Sequence, residues 1–259
     1  MELDYLLRSF ILITLIQVVF AVIAVIRKTD KLTDLSYGFT FVINAWFLYF
    51  ATYQNRPYYD LVITLLVTLW GFRLSLYLFM RILLTGKDKR FDGIREKPLK
   101  FIGFWVLQAV SVFVVSLPVT IFLILGPQWQ LGAVSFIGLM LWLIGFIFES
   151  ISDQQKFEFK SDPKNKGKFI QTGLWKYSRH PNYFGELSMW WGLFLFGVGS
   201  IGAWWPLSIF GPLFISFLIL KVSGIPTLEK KYAEVYKDDA KYQKYKKETS
   251  ILIPWFKKS

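Results

Sequence analysis

The densest chemistry in the chain is the run Gly173-Leu-Trp-Lys-Tyr-Ser-Arg-His-Pro-Asn-Tyr-Phe-Gly-Glu186. It compresses Lys176, Tyr177, Arg179, His180, Asn182, Tyr183 and Glu186 into one short segment. Pro181 has no backbone N–H to donate and suits the first turn of a helix. Asn182 and Glu186 then lie one turn apart on one face, and Gly185 permits close approach of backbone or ligand. Lys176, Arg179 and His180 supply positive charge beside a helix N-terminus, a good setting for phosphate. A loop serving only as a cluster of positive charge would need the Lys and Arg but not a buried Asn and Glu beyond them. The segment therefore reads as ligand-binding.

Two further constellations have helical spacing. Glu149, Asp153, Lys156 and Lys160 follow at intervals of four, three and four, forming one polar stripe that is acidic first and basic beyond. A solvated helix end gives the same pattern. Arg73, Tyr77 and Arg81 also share a face. Arg73 lies in the middle of an apolar stretch, where a charge must pair or face a wet cavity, and it reads as a cavity or ligand residue. Arg81, nearer the end, has snorkelling to the surface as its plain alternative, and Arg8 and Lys221 read the same way. The chain has no cysteine and one histidine, which excludes thiolate and multi-histidine metal sites, and no metal is expected. Gly197-Val-Gly-Ser-Ile-Gly202 matches a dinucleotide fingerprint but follows an apolar helix rather than a strand, so it is set aside.

The elements that must position these residues follow from composition. The 259 residues are 54% hydrophobic and 19% aromatic, yet carry a net charge of +12. Such hydrophobicity excludes a soluble nucleic-acid binder and a disordered basic chain. The expectation is an all-α, polytopic integral membrane protein with its charge in loops, in a single membrane domain. Apolar stretches at about 5–26, 35–53, 61–83, 101–126, 131–152, 183–200 and 207–224 read as seven transmembrane helices. Residues 113–125 hold no charge, and their only polar side chains are Ser116 and Thr120. The first stretch is expected to be a span and not a cleaved signal, because Glu2 and Asp4 precede it instead of a basic region. Of the 30 Lys and Arg, 25 fall in alternate segments at 27–34, 84–100, 153–182 and 225–259. That one-sided count places the N-terminus outside and the C-terminus in the cytoplasm. Pro226 is expected to open a tail helix running through about Lys246, whose Tyr-Lys repetition fits an interfacial helix on anionic lipid.

The 173–186 block resembles the C-terminal signature of the membrane steroid 5α-reductase family, in particular its bacterial branch, long catalogued as an uncharacterised domain. Glu149, Asp153 and Lys160 stand where that family carries dinucleotide-holding residues. The ending Thr249-Ser-Ile-Leu-Ile-Pro-Trp-Phe256 is similar to the family's closing segment, and Arg73 in Leu-Trp-Gly-Phe-Arg resembles an arginine of its third span. The resemblance runs from about Leu61 to the end.

It implies a seven-span NADPH-dependent reductase in a bacterial inner membrane, reducing the double bond of a lipophilic, steroid-like enone that enters from the lipid. The residues expected around the cofactor are Arg73, Arg81, Arg90, Glu149, Asp153, Lys160, Tyr177, Arg179, His180, Asn182, Tyr183 and Glu186. Asn182 and Glu186 would sit near the nicotinamide. Tyr177, Arg179, Lys160 and Asp153 would hold ribose and phosphate, and Arg95 beside Arg90 would also meet phosphate. Enone reduction needs a donor to the carbonyl oxygen. The family's Gln-Glu pair in span two and Tyr in span three are not met here, since span two begins Thr33-Asp34-Leu-Ser-Tyr37 and Trp70 stands near the Tyr position. Asp34 and Tyr37, one turn apart, are the substitutes, with Glu186 the third catalytic candidate. Asp34 as a helix cap and Tyr37 as a belt aromatic are the plain alternatives. Isoprenylcysteine carboxyl methyltransferases share an Arg-His-Pro-x-Tyr-x-Gly type of segment and use S-adenosylmethionine. A methyltransferase is therefore the rival enzyme, and a non-enzymatic lipid-binding protein the third reading.

Overall fold

The structure is a computed structural model and describes residues 2–52, 58–86, 88, 91–126 and 132–256. Arg90 lies outside the described residues. The described residues are helical, and their one β-type pairing is an isolated bridge between Ser178 and Ser250. Five helical stretches are long and apolar enough to cross a membrane by length and composition: Glu2–Ile26, Tyr58–Leu83, Pro98–Leu125, Ala133–Ser161 and Gly202–Val235. Two expected spans are helices outside those five, α2 (Thr33–Ala51) and α6 (Pro181–Val198). The chain divides into two compact units, Met1–Ser135 with Phe196–Gly211, and Phe136–Leu195 with Pro212–Ser259.

The first unit is built on α1 (Glu2–Ile26), α2, α3 (Tyr58–Thr85) and α4 (Pro98–Leu125). In α1 only Ser9, Ile13, Gln17 and Ala24 are buried, a single stripe on an otherwise outward-facing apolar helix. Such a helix suits lipid, where apolar side chains no longer drive helices together. Polar side chains take over that task. Ser9 Oγ donates to Asn44 Oδ1 at 2.7 Å, and Asn44 Nδ2 donates to Thr120 Oγ1 at 3.3 Å. Gln17 Nε2 donates to Thr40 Oγ1 at 2.8 Å, while Gln108 Nε2 reaches Gln17 Oε1 and Ser36 Oγ, both at 2.9 Å. Helices α2 and α3 touch through glycine: a Cβ on Gly38 would lie 2.7 Å from the Gly71 carbonyl oxygen. The loops at one end are tied by Asp30, whose Oδ2 accepts from the Asp88 N–H at 2.7 Å and lies 3.4 Å from Arg95 Nη2.

The second unit holds most of α5 (Ala133–Ser161), α6 and α8 (Phe210–Phe217), then a π-helical turn at Leu218–Val222, α9 (Ile225–Val235) and α10 (Ala240–Glu248); the short α7 (Trp205–Ser208) belongs to the first unit. The chain after α5 folds back along it. Gln155 Oε1 accepts from the Leu174 N–H at 2.9 Å, and Trp175 Nε1 donates to the Ser152 carbonyl at 3.0 Å. The tail is not the single helix expected from Pro226 to about Lys246. It breaks after Val235 and restarts at Ala240, because Asp239 caps α10 by accepting from the Lys241 and Tyr242 N–H groups at 2.8 and 3.2 Å. Its Tyr-Lys repetition sorts by side. Tyr242 and Tyr245 pack inward with Tyr236, Phe169 and Tyr232, while Lys241, Lys244 and Lys247 point outward.

Candidate functional site

Pro181 is the first residue of α6, as its chemistry predicts, and places the cationic turn 176–180 directly at the helix start. The turn is clamped from outside the segment. Arg179 Nη1 lies 2.5 Å from Glu229 Oε2, and His180 Nε2 lies 2.9 Å from Glu229 Oε1. One carboxylate of α9 thus holds both residues. The backbone is fixed as well: Arg179 N donates to the Ser250 carbonyl at 2.8 Å, and the His180 N–H to Ser178 Oγ at 3.1 Å.

His180 is buried, and burial pushes its imidazole below the ordinary value of 6.5, against the opposing pull of the Glu229 carboxylate. The neutral ring donates from Nε2 to Glu229. That leaves the buried Nδ1 with a lone pair and no hydrogen-bond partner among the described residues. Tyr183 stacks on the ring at 5.6 Å between centroids.

Beside this clamp lies a small open cleft bordered by Lys160, Trp175, Arg179, Glu229 and the inward tyrosines. Burial raises the Tyr242 phenol to about 12 and lifts Tyr245 and Tyr236 too, so all three are protonated donors across the physiological range. Tyr245 OH donates to the Trp175 carbonyl at 2.7 Å. Arg179 Nε and Tyr242 OH are buried with no hydrogen-bond partner among the described residues.

The α5 stripe is one continuous helical face, as its spacing predicts. It runs from buried Glu149 and Asp153 to Lys156, whose Nζ sits 4.8 Å over the Trp175 ring, and to exposed Lys160. Gly185 brings α6 against it: a Cβ there would lie 2.6 Å from the Glu149 backbone nitrogen. Asn182 and Glu186 are half-buried, less enclosed than their spacing implied, and Glu186 Oε1 accepts from Trp190 Nε1 at 3.2 Å. Tyr177, half-buried, meets Phe256 edge-on at 6.2 Å.

The remaining candidates belong to the first unit. Asp34 Oδ2 accepts from Arg81 Nη2 at 3.2 Å, so Asp34 pairs across helices; the N-cap position of α2 is Leu32, with no side-chain cap. Tyr37 packs edge-on against Phe41 and against Trp70 of α3, with centroids 5.1 and 6.4 Å apart. Arg73 lies 5.8 Å from the Tyr77 ring centroid, the i,i+4 contact its spacing predicts. Arg95 is engaged by Asp92 Oδ1 at 2.8 Å and by the Asp88 carbonyl at 2.9 Å, as well as by Asp30. Among the described residues no cluster of His, Cys, Asp and Glu is built to hold a metal.

The sequence does not single out Glu229, and it offers Tyr242 and Tyr245 only within the Tyr-Lys repetition that fits an interfacial helix. Glu229 lies 50 positions from Arg179, and nothing in its own neighbourhood distinguishes it from the other charges of the tail.

The described residues are helical, and five of their helical stretches are long and apolar enough to cross a membrane, the architecture of an integral membrane protein. The chain belongs to the family described as a protein of unknown function (DUF1295), which it matches over residues 19–249. It is 26% identical over 164 residues to the uncharacterized protein C594.04c of Schizosaccharomyces pombe, covering 53% of this chain and 48% of that one. It is 27% identical over 134 residues to 3-oxo-5-alpha-steroid 4-dehydrogenase 1 of Rattus norvegicus, covering 52% of this chain and 46% of the relative. The chain thus spans about half the length of the curated relatives it matches. No solved structure matches.

Proposed function

We propose that the chain is a membrane-embedded, NADPH-dependent reductase acting on the carbon–carbon double bond of a lipophilic enone. The observation that carries this reading is the cleft beside Arg179. Its lining holds two donors without a hydrogen-bond partner among the described residues, Arg179 Nε and Tyr242 OH, beside the exposed cation of Lys160, while its one carboxylate is already engaged. Such a surplus fits an anionic nucleotide. The name of the rat relative, a steroid dehydrogenase, supports the reaction class.

NADPH, when bound, supplies the hydride. Arg179 and Lys160 are assigned to its phosphates, Tyr177 and Asp153 to ribose, and Asn182 and Glu186 to the nicotinamide end. Arg73 and Arg81 retain the cofactor role implied by the family resemblance. Tyr37 is the hydroxyl we assign to the substrate carbonyl, with Asp34 and Glu186 as the other catalytic candidates. The membrane arrangement in this reading takes α2 and α6 as two spans beside the five, with the N-terminus outside and the basic segments facing cytoplasm. The outward lysines of α10 would face anionic lipid, in a bacterial inner membrane. Thermal melting of detergent-purified protein tests the proposal: stabilisation by NADPH and none by S-adenosylmethionine is expected, and the reverse pattern makes the chain a methyltransferase.

A further inference from the structure

We propose that the closing strap, residues 250–256, is a membrane-interface anchor whose outward face lies among lipid headgroups and the first carbons of the acyl chains. The strap is held in one conformation. The Ser250 carbonyl accepts from Arg179 N at 2.8 Å, the Leu252 carbonyl from Ser178 Oγ at 2.7 Å, and Trp255 N donates to the Tyr177 carbonyl at 3.0 Å. Exposure alternates along it. Leu252 and Pro254 are half-buried, while Ile251, Ile253 and Trp255 point outward at 45%, 61% and 68% exposure, followed by Phe256 at 76%. A run of large apolar side chains fixed outward marks a surface that is covered by something other than water. Here that face is wholly apolar, and scattered single exposed residues do not account for four on one fixed strap.

Its attachment fixes its level. Residues 177–179 directly precede α6 at Pro181, and the adjoining Trp175 is bonded to Ser152, where the apolar face of α5 gives way to Lys156 and Lys160. The strap is therefore level with the ends of two apolar helices, where Trp and other amphipathic rings settle at membranes. Cations flank it. Lys176 Nζ lies 5.6 Å from the Tyr177 ring that Phe256 meets, and exposed Lys241, Lys244 and Lys247 line the helix just before the strap. That charge selects anionic headgroups. The inference rests on the integral-membrane reading and is independent of the reductase.

The chain has no cysteine, so single nitroxide labels can be placed cleanly. Ile253→Cys and Trp255→Cys are labelled in the full chain in nanodiscs of phosphatidylcholine, with and without phosphatidylglycerol. Val110→Cys on α4 reports the span, and Lys164→Cys, exposed in the segment after α5, reports the water side. Collision with oxygen should exceed collision with a water-soluble nickel chelate several-fold at 253 and 255, as at 110, with the opposite order at 164. Phosphatidylglycerol should widen the difference. Labels at 253 and 255 as open to nickel as 164 would overturn the anchor, and so would shielding from both reagents, which marks a protein partner or second copy. If position 110 also favours nickel, the membrane reading has failed and takes the anchor with it.

Discussion

Glu229 anchors Arg179 across 50 residues of sequence, with Nη1 and Oε2 2.5 Å apart and both side chains largely buried. The same carboxylate holds His180 through its other oxygen. The cationic turn before α6 is thus aimed by a residue that lies outside it.

Removing that carboxylate should misplace the turn. Glu229→Ala leaves a buried guanidinium short of a partner, a loss of about 1–3 kcal/mol. Melting temperature and NADPH affinity are expected to fall together, with Glu229→Gln intermediate because it keeps one acceptor. Wild-type NADPH affinity in Glu229→Ala would mean that the clamp has no part in binding.

The single histidine makes a clean titration probe. Burial lowers His180 in the folded chain below 6.5, so just below that pH the unfolded chain binds more protons. The stability it contributes is complete above pH 6.5 and declines as pH falls toward the folded-state value. The imidazole resonances should titrate with a midpoint below 6.5, and His180→Gln should flatten the decline in melting temperature. A midpoint at or above the ordinary value refutes this assignment.

The α5–α6 approach is intolerant of a methyl group. A Cβ on Gly185 would lie 2.5 Å from the Gly145 carbonyl oxygen, whereas one on Gly199 meets nothing within 4 Å. Gly185→Ala should cost about 1–3 kcal/mol by overpacking, and Gly199→Ala little, as read by melting in detergent. Equal melting temperatures would show that the helices separate freely.

Asn182 and Glu186 are assigned to the nicotinamide end of the cofactor. Alanine at either position should weaken NADPH binding by about 0.5–1.5 kcal/mol, read as a smaller thermal shift. Wild-type affinity in both variants would remove them from the site.

Tyr37→Phe separates binding from chemistry. If its hydroxyl serves the substrate carbonyl, turnover of a lipophilic enone should drop about 100-fold or more while NADPH affinity stays unchanged. Unchanged turnover would assign the donor role elsewhere.

Local features were legible in the sequence, and long-range ones were not. Run length and the absence of charge announced the apolar helices. Pro181 announced the start of α6, and the intervals among Glu149, Asp153, Lys156 and Lys160 announced that α5 continues past its apolar part. The break in the tail has a local signal: Asp239 directly before Ala240 is a capping residue. Glu229 had none, because a clamp between residues 50 apart depends on how α9 is turned. The tyrosines of the tail pack inward, which the sequence does not reveal, because alternation with lysine gives two-sidedness without saying which side is covered.

How α9 is turned goes back to the π-helical turn at Leu218–Val222, where the Ser223 N–H reaches the Leu218 carbonyl five residues back at 2.9 Å. A π turn holds one residue more than the α-helical path it replaces. That extra residue is absorbed in the turn, whereas in a regular helix it would rotate everything downstream by about 100°. Deleting one residue within the turn would leave Glu229 in reach of Arg179, and deleting one from α8 would swing it away. The turn therefore acts as slack, a place where a change of one residue in length is taken up without re-addressing the partner of the cationic turn.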